Sequence, residues 1–252
     1  MKLTVLILAK NEEKNIRACI ESALFADEII VIDDFSTDNT ANIAQELGAK
    51  VVQRAMNGDW GSQQTFAIQQ AATDWIFFLD ADERITPELA AEVQAAVKRN
   101  EPYTYLVPRL NHTMGNVLRH GGWYPDYGIH LLLREGSYVE GFVHPQIVHQ
   151  HPLKKIAKPM IHYPYANWES YFNKLNLYTK LAAEKNKKKG KRANFFLDIM
   201  IRPYFAFFKM YILKAGWRDG RIGFILAVFH FFYTMAKYVK LYYIQDINDD
   251  KK

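Results

Sequence analysis

The first hundred residues alternate between two hydrophobic patterns. Short runs that are apolar at every position, such as residues 75–79, are typical of strands buried on both faces of a parallel sheet. Segments with apolar residues at helical spacing lie between these runs. We predict strands over residues 4–9, 28–33, 50–53 and 75–79, and helices over residues 13–24, 40–47, 62–72 and 87–99. This order predicts an α/β domain with a mostly parallel, doubly wound sheet.

The pattern changes twice further along the chain. Residues 103–150 contain short alternating runs broken by glycines, which indicate an antiparallel extension of the sheet and functional loops. From residue 168 onward strand patterns disappear, and helices are predicted over residues 168–185, 194–213 and 222–244. We therefore predict a nucleotide-binding and catalytic domain over residues 1–165 and a helical region over residues 166–252.

The distribution of charge separates the same two parts. Residues 1–150 contain 12 Lys and Arg against 20 Asp and Glu, a net charge of −8, whereas residues 151–252 carry a net charge of +13. An acidic part suits metal binding, and a basic part suits an anionic membrane or nucleic acid. The single cysteine, Cys19, excludes an internal disulfide and a multi-cysteine zinc site.

Acidic residues follow the most apolar strand. Asp80 and Asp82 come directly after residues 75–79, and ligands of open α/β sheets bind beyond the carboxyl ends of the strands. Two carboxylates at that edge suit a hard divalent cation that also grips a phosphate-bearing substrate. The alternative is an acidic loop that precedes the helix beginning near Pro87.

Polar residues also follow the first two strands. Asn11 and Glu12 come after strand one, and Asp33 and Asp34 close strand two. Their carboxylate and amide groups can bind a ribose diol and the edge of a base. We interpret residues 36–38 as turn and capping residues. Strand one lacks a glycine-rich phosphate loop, so a metal would have to neutralise a phosphate-bearing substrate.

The C-terminal helices are aromatic and basic. Residues 185–192 form a basic linker, and the apolar stretches after it are too short or too charged to span a bilayer comfortably. They fit amphipathic segments that lie in the interface of an anionic membrane. The alternative is a helical cap folded onto the sheet. Nucleic acid is not expected as a partner, because the chain has no recognition motif.

Three motifs together resemble a known family. Leu-Ala-Lys-Asn-Glu-Glu (8–13), Ile-Asp-Asp-Phe-Ser-Thr-Asp (32–38) and Phe-Leu-Asp-Ala-Asp-Glu (78–83) resemble the inverting family 2 glycosyltransferases of the GT-A fold. Gly-Trp-Tyr-Pro-Asp (122–126), Val-His (143–144) and the segment 162–168 are similar to bacterial lipopolysaccharide inner-core β-1,4-glucosyltransferases.

The resemblance implies a site for a UDP-sugar. The residues it would place around the nucleotide are Asn11, Glu12, Asp33, Asp34 and Asp80. Asp33 would hold the uracil, Asp80 would contact the ribose or a metal-bound water, and Asp82 would ligate Mn²⁺ or Mg²⁺, with Asp80 as the other metal-site residue. The cation would act as a Lewis acid on the departing diphosphate.

The sequence departs from the family pattern at the general base. Many relatives carry a carboxylate after the Val-His pair, but Pro145 occupies that position here. The remaining candidates are Asp126 first, His144 second, and Glu140. A second departure, Gln63-Gln64-Thr65 in place of the Arg-Asn common in relatives, leaves the diphosphate contact to Arg134 or to basic residues elsewhere.

The expected activity is inverting transfer of a sugar, glucose from UDP-glucose, to a heptose-containing lipopolysaccharide core acceptor. The expected location is cytoplasmic, peripheral on the inner face of the cytoplasmic membrane. Two other hypotheses are a haloacid-dehalogenase-type phosphatase, whose signature also has Asp-x-Asp after an apolar strand, and a catalytically inactive membrane module. Arg84 and the position of the motif on the fourth strand count against the phosphatase, and Pro145 keeps the inactive module open as a hypothesis.

Overall fold

The computed structural model describes residues 1–141 and 145–249, with side chains described as far as residue 245. The chain divides into two compact units. The first contains residues 1–110 and 126–162, and the second contains residues 111–125 and 163–252. Residues 111–125 thus belong to the helical unit although they lie far from it in the sequence.

Twelve strands are present in the described residues. They are β1 (Leu3–Ala9), β2 (Glu28–Asp33), β3 (Lys50–Gln53), β4 (Trp75–Asp80), β5 (Glu83–Arg84), β6 (Thr104–Thr113), β7 (Asn116–Leu118), β8 (Asp126–Leu133), β9 (Tyr138–Glu140), β10 (Gln146–Val148), β11 (Leu153–Lys155) and β12 (Met160–Tyr165). The main sheet has the order β3-β2-β1-β4-β8-β6-β12-β5, and β9 and β10 form a separate pair. Strands β1 to β4 are parallel, whereas β8 is antiparallel to β4 and β6. The predicted fold class is confirmed, including the antiparallel extension.

The helices of the first unit are α1 (Ile16–Ala23), α2 (Thr40–Glu46), α3 (Trp60–Gln70) and α4 (Pro87–Arg99). One apolar cluster joins β1 and β4 to α1 and α4, and a second joins the same strands to α3. Both faces of the sheet are therefore covered, which explains why its central strands are apolar at every position.

The starts of α1 and α3 and the N-cap of α2 differ from the prediction, and α3 begins at Trp60 rather than at residue 62. The first helix begins at Ile16 rather than at residue 13, because the Glu12 carbonyl accepts hydrogen bonds from the Asn15 and Ile16 amides in a tight turn. Asn39 rather than Asp38 is the N-cap of α2. Polar side chains at these turns have several backbone partners within reach, so their spacing alone does not decide the boundary.

The second unit is built mainly from helices. α5 (Trp168–Lys188) is followed by a helical run from 195 to 213, made of a π-helix (Phe195–Ile201), α6 (Arg202–Phe208) and a second π-helix (Lys209–Leu213). A 3₁₀ turn (Gly216–Asp219) leads into α7 (Gly220–Asp249). By length and composition alone, residues Gly216–Gln245 are long enough and apolar enough to cross a membrane. The prediction of segments too short to span is therefore wrong for α7, because the helix continues past Lys237 and Lys240.

A close backbone contact holds the start of α7. A Cβ atom on Gly223 would collide with the carbonyl oxygen of Gly216. We expect Gly223→Ala to lower the free energy of unfolding by about 1–3 kcal/mol, the usual effect of overpacking. Gly190→Ala is the control, since a Cβ there has open space and the cost is backbone strain from its φ of +69° alone. Urea denaturation of both variants measures the difference, and equal losses would contradict the steric explanation.

Candidate active site

The parallel strands bring the predicted polar residues to one edge of the sheet. In the register of the ladders, Ala9 is paired with Asp33 and Leu8 with Asp80. The ends of β2 and β4 therefore flank the end of β1, about 10 Å apart across it at ordinary strand spacing. Asn11 follows β1 at the same edge.

Asn11 and Glu12 connect the first two loops of that edge. Asn11 has a φ of +55°, and its Oδ1 accepts hydrogen bonds from Thr37 N (2.8 Å) and Thr37 Oγ1 (3.3 Å). The Asn11 amide donates to Ser36 Oγ, and the Glu12 amide donates to Thr40 Oγ1. These contacts hold the two loops together at the mouth of the predicted nucleotide site.

Asp33 is completely buried at the end of β2. Its Oδ2 accepts hydrogen bonds from Ser36 N (3.1 Å) and Gln53 Nε2 (3.2 Å). Among the described residues, its Oδ1 is buried and has no hydrogen-bond partner. A buried carboxylate oxygen without a donor is costly, so this atom is a ready acceptor for an N–H group of a ligand.

Asp34 is satisfied by donors from the protein. Lys10 Nζ lies 2.8 Å from its Oδ2, and Met56 N donates to its Oδ1 at 3.0 Å. The hydrogen bond from Lys10 is the main cause of a lowered pKa for Asp34, so the carboxylate is ionised at neutral pH. Asp34 therefore ties β2 to the loops on both sides of it.

The acidic motif at the end of β4 consists of Asp80, Asp82 and Glu83, which differ in their exposure to solvent. Asp80 is exposed, whereas Glu83 is completely buried and its Oε2 accepts a hydrogen bond from Asp80 N (3.0 Å). Burial, followed by the negative charge of Asp80, raises the pKa of Glu83 well above its usual range. Arg109 Nη1 lies 3.8 Å from Glu83 Oε1 and partly offsets this cost.

Arg109 connects this motif to the favoured candidate base. Its Nη2 lies 2.8 Å from Asp126 Oδ2, and the two residues are directly opposite in the ladder between β6 and β8. One guanidinium thus contacts both Glu83 and Asp126. Because the Asp126 side chain is 43% exposed, an incoming hydroxyl has access to it. Arg109 was not predicted, since only strand pairing brings it to the acidic motif.

His162 lies beside Asp82. Its Nε2 is 3.6 Å from Asp82 Oδ2, and His162 pairs with Glu83 in the ladder between β12 and β5. His162 lies in the segment 162–168 that resembles the family, but no role was predicted for it. Its distance of 80 residues from Asp82 in the sequence concealed the contact.

Arg134 lies at the opposite edge of the sheet. Its Nε donates to the Thr73 carbonyl and its amide donates to the Asp74 carbonyl, just before β4 begins. Asp80 is roughly 20 Å away along that strand. This position contradicts the prediction that Arg134 contacts the diphosphate. The error has a simple cause, since β8 runs antiparallel to β4 and carries its last residues away from the site.

Two further histidines bear on the site. His144, the second candidate, lies outside the described residues. His130 is buried beneath the site, and its Nδ1–H donates to the Phe78 carbonyl at 2.8 Å. Burial lowers the pKa of His130 to about 4, so its imidazole is neutral at pH 7 and supports the end of β4.

The carboxylates of Asp80 and Asp82 suit a divalent cation that also binds oxygens of a substrate. Within residues 1–141 and 145–249, no group of three or more His, Cys, Asp or Glu side chains could enclose a metal ion. Asp80 and Asp82 supply the oxygens that Mg²⁺ and Mn²⁺ prefer, with the His162 imidazole beside Asp82. A cation here needs further oxygens from phosphate or water, as is usual for magnesium on nucleotides.

Similarity to known proteins defines the family of this chain. The family model for glycosyl transferase family 2 matches residues 4–217, and the chain therefore belongs to that family. It is a glycosyltransferase, and this excludes the phosphatase hypothesis.

Two curated relatives match almost the whole chain. The lipopolysaccharide core biosynthesis glycosyltransferase LpsC of Rhizobium meliloti is 30% identical over 96% of this chain and 92% of its own. An uncharacterized glycosyltransferase of Rickettsia typhi is 30% identical over 94% of this chain and 86% of its own.

A solved structure resembles part of the chain. Glucosyl-3-phosphoglycerate synthase from Mycobacterium tuberculosis, in complex with Mn²⁺, UDP and glucosyl-3-phosphoglycerate, is 26% identical over 44% of each chain, with a TM-score of 0.37.

Proposed function

We propose that this glycosyltransferase transfers glucose from UDP-glucose, with inversion, to a heptose-containing acceptor in the lipopolysaccharide core. The acceptor class is supported by the similarity to LpsC along nearly the whole chain. The donor class is supported by the strand-end residues of the first unit. The single observation that carries the proposal is the shared sheet edge at which Asp33, Asp80 and Asp82 lie.

In this proposal Asp33 recognises the base of the nucleotide. Its buried, unpartnered Oδ1 offers an acceptor to an N–H donor such as that of uracil. Asn11 and Glu12 lie next to it, on the loop that would border the ribose. The donor therefore enters at the ends of β1 and β2, with its diphosphate toward the end of β4.

Asp33→Asn tests this assignment. The amide presents N–H groups where the ligand would donate, so we expect the KM for UDP-glucose to rise about tenfold or more with a smaller change in kcat. Asp27→Asn is the matched control, because Asp27 lies at the other end of β2, where its Oδ2 accepts a hydrogen bond from Leu3 N. Calorimetric titration with UDP measures the effect on binding, and equal affinities in wild type and Asp33→Asn would contradict the role.

Asp80 and Asp82, with His162 beside them, would hold Mn²⁺ or Mg²⁺ on the diphosphate. When bound, such a cation stabilises the negative charge that develops on the departing UDP. The acceptor hydroxyl attacks the anomeric carbon as the bond to the β-phosphate oxygen breaks, and the bonding electrons leave with UDP. Asp126 takes the proton of the hydroxyl, and Arg109 fixes the direction of its carboxylate.

The activity is tested with purified protein, UDP-glucose, Mn²⁺ or Mg²⁺, and core oligosaccharide that ends in heptose. We expect release of UDP that depends on both the acceptor and the cation, and a product with the β configuration by nuclear magnetic resonance. Transfer from another sugar nucleotide alone would overturn the donor assignment. UDP release without any acceptor would indicate hydrolysis instead.

We further propose that the enzyme works on the cytoplasmic face of the inner membrane as a peripheral protein. A core acceptor is attached to a membrane lipid, and the second unit is strongly basic. Lys and Arg near an anionic surface contribute about 1 kcal/mol each to binding.

A further inference from the structure

The helical run 195–213 carries a large exposed apolar face. Six of its large side chains are exposed by 58% to 72%: Phe196, Leu197, Ile201, Tyr204, Phe205 and Leu213. Five of the six recur along one side of the helix at spacings of one, three and four residues. The opposite side, which includes Ile199, Pro203 and Met210, is buried. A continuous exposed face of this kind marks an interaction site.

The charges around the face indicate what covers it. Between residues 185 and 245 the chain has 13 Lys and Arg but only two acids, Asp198 and Asp219. Both acids are nearly buried and paired. Arg202 Nε lies 2.8 Å from Asp198 Oδ1, and His120 Nδ1 lies 2.6 Å from Asp219 Oδ1. The segment 185–245, which contains the apolar face, therefore carries positive charge with almost no exposed negative charge.

A second copy of the chain does not fit such a surface, because pairing two copies would bring like charges together. A bilayer of anionic lipids satisfies both features at once. Phosphate headgroups attract the Lys and Arg side chains, while the aromatic and aliphatic side chains enter the boundary of the acyl region.

We propose that residues 195–213 are the membrane-binding element of this enzyme and lie flat in an anionic bilayer surface without crossing it. The run contains Arg202 and Lys209, and its buried side packs against α7. α7 does not cross the bilayer either, although it is long enough. It packs along α5, whose 21 residues include seven charged ones, and these would be drawn into hydrocarbon at high cost.

This proposal rests on the membrane association in the proposed function, and it names residues 195–213 as the surface that binds the membrane. Its test uses the full chain and vesicles of equal parts phosphatidylethanolamine and phosphatidylglycerol, compared with pure phosphatidylcholine. Binding requires neither donor nor acceptor, so failure here is distinguishable from failure of the transferase assay. We expect flotation with the anionic vesicles, weakening as salt is raised, and little binding to the neutral ones.

Leu197→Glu and Leu24→Glu form a matched pair, because both leucines are 59% exposed and only Leu197 lies on the proposed face. We expect Leu197→Glu to weaken binding to anionic vesicles about tenfold or more, and Leu24→Glu to bind like wild type. Equal binding by both variants, or equal loss in both, would overturn the proposal.

A second measurement reports the position of the helix on the vesicle and does not depend on a variant that binds less well. Since the native cysteine, Cys19, is buried, a polarity-sensitive dye can be attached to Phe196→Cys or to Leu24→Cys alone. With anionic vesicles, the dye at position 196 should shift to the blue and the dye at position 24 should not. An unshifted dye at position 196, or bound protein that resists alkaline extraction as a spanning protein does, would refute the interfacial arrangement.

Discussion

Asp82→Asn is expected to lower kcat/KM for UDP-glucose by about a thousandfold or more, which corresponds to about 4 kcal/mol of transition-state stabilisation. The variant removes one of the two negative charges, those of Asp80 and Asp82, that would hold the cation on the diphosphate. We also expect that more Mn²⁺ is needed for half-maximal activity. The fold should be unaffected, because removal of one carboxylate near Asp80 and the buried Glu83 relieves repulsion.

Asp74→Asn is the matched control for this prediction. Asp74 precedes the same strand, β4, but lies at its other end, where its Oδ2 accepts a hydrogen bond from Lys2 N. UDP release by the two variants is compared at saturating and limiting Mn²⁺. Asp82→Asn with activity within tenfold of wild type would rule out a metal-binding role for Asp82.

The second large effect is expected at the base. Asp126→Asn should lower kcat by about 10²–10⁴-fold with little change in either KM, because the amide cannot accept the proton of the acceptor hydroxyl. Steady-state kinetics with both substrates varied separates the two parameters. Thermal unfolding should show a stable protein, since Asp126 is partly exposed.

Two further variants distinguish the candidates. Arg109→Lys keeps the positive charge near Glu83 and Asp126 but loses the planar guanidinium group that contacts both carboxylates. We therefore expect a smaller fall in kcat than for Asp126→Asn. His144→Gln should retain most of its kcat. If kcat instead falls in His144→Gln and is unchanged in Asp126→Asn, His144 is the base.

Much of the first unit could be predicted because its signals are local. Continuous apolar runs predicted four parallel strands, and the placement of Asp33 and Asp80 at one edge followed from the rule that ligands bind at the carboxyl ends of parallel strands. The continuous helix α7 was harder to predict, because the mixture of aromatic and basic residues near its end does not show where the helix stops.

The local apolar pattern of the chain was enough to predict which residues end the parallel strands and hence which carboxylates share an edge of the sheet. The folded structure was needed to show that Arg109 bridges Glu83 and Asp126, that His162 lies beside Asp82, and that Arg134 lies at the far edge. These contacts depend on the order and register of antiparallel strands that are distant in the sequence. A periodicity of two residues fixes which face a side chain occupies, but not which strand lies next to it.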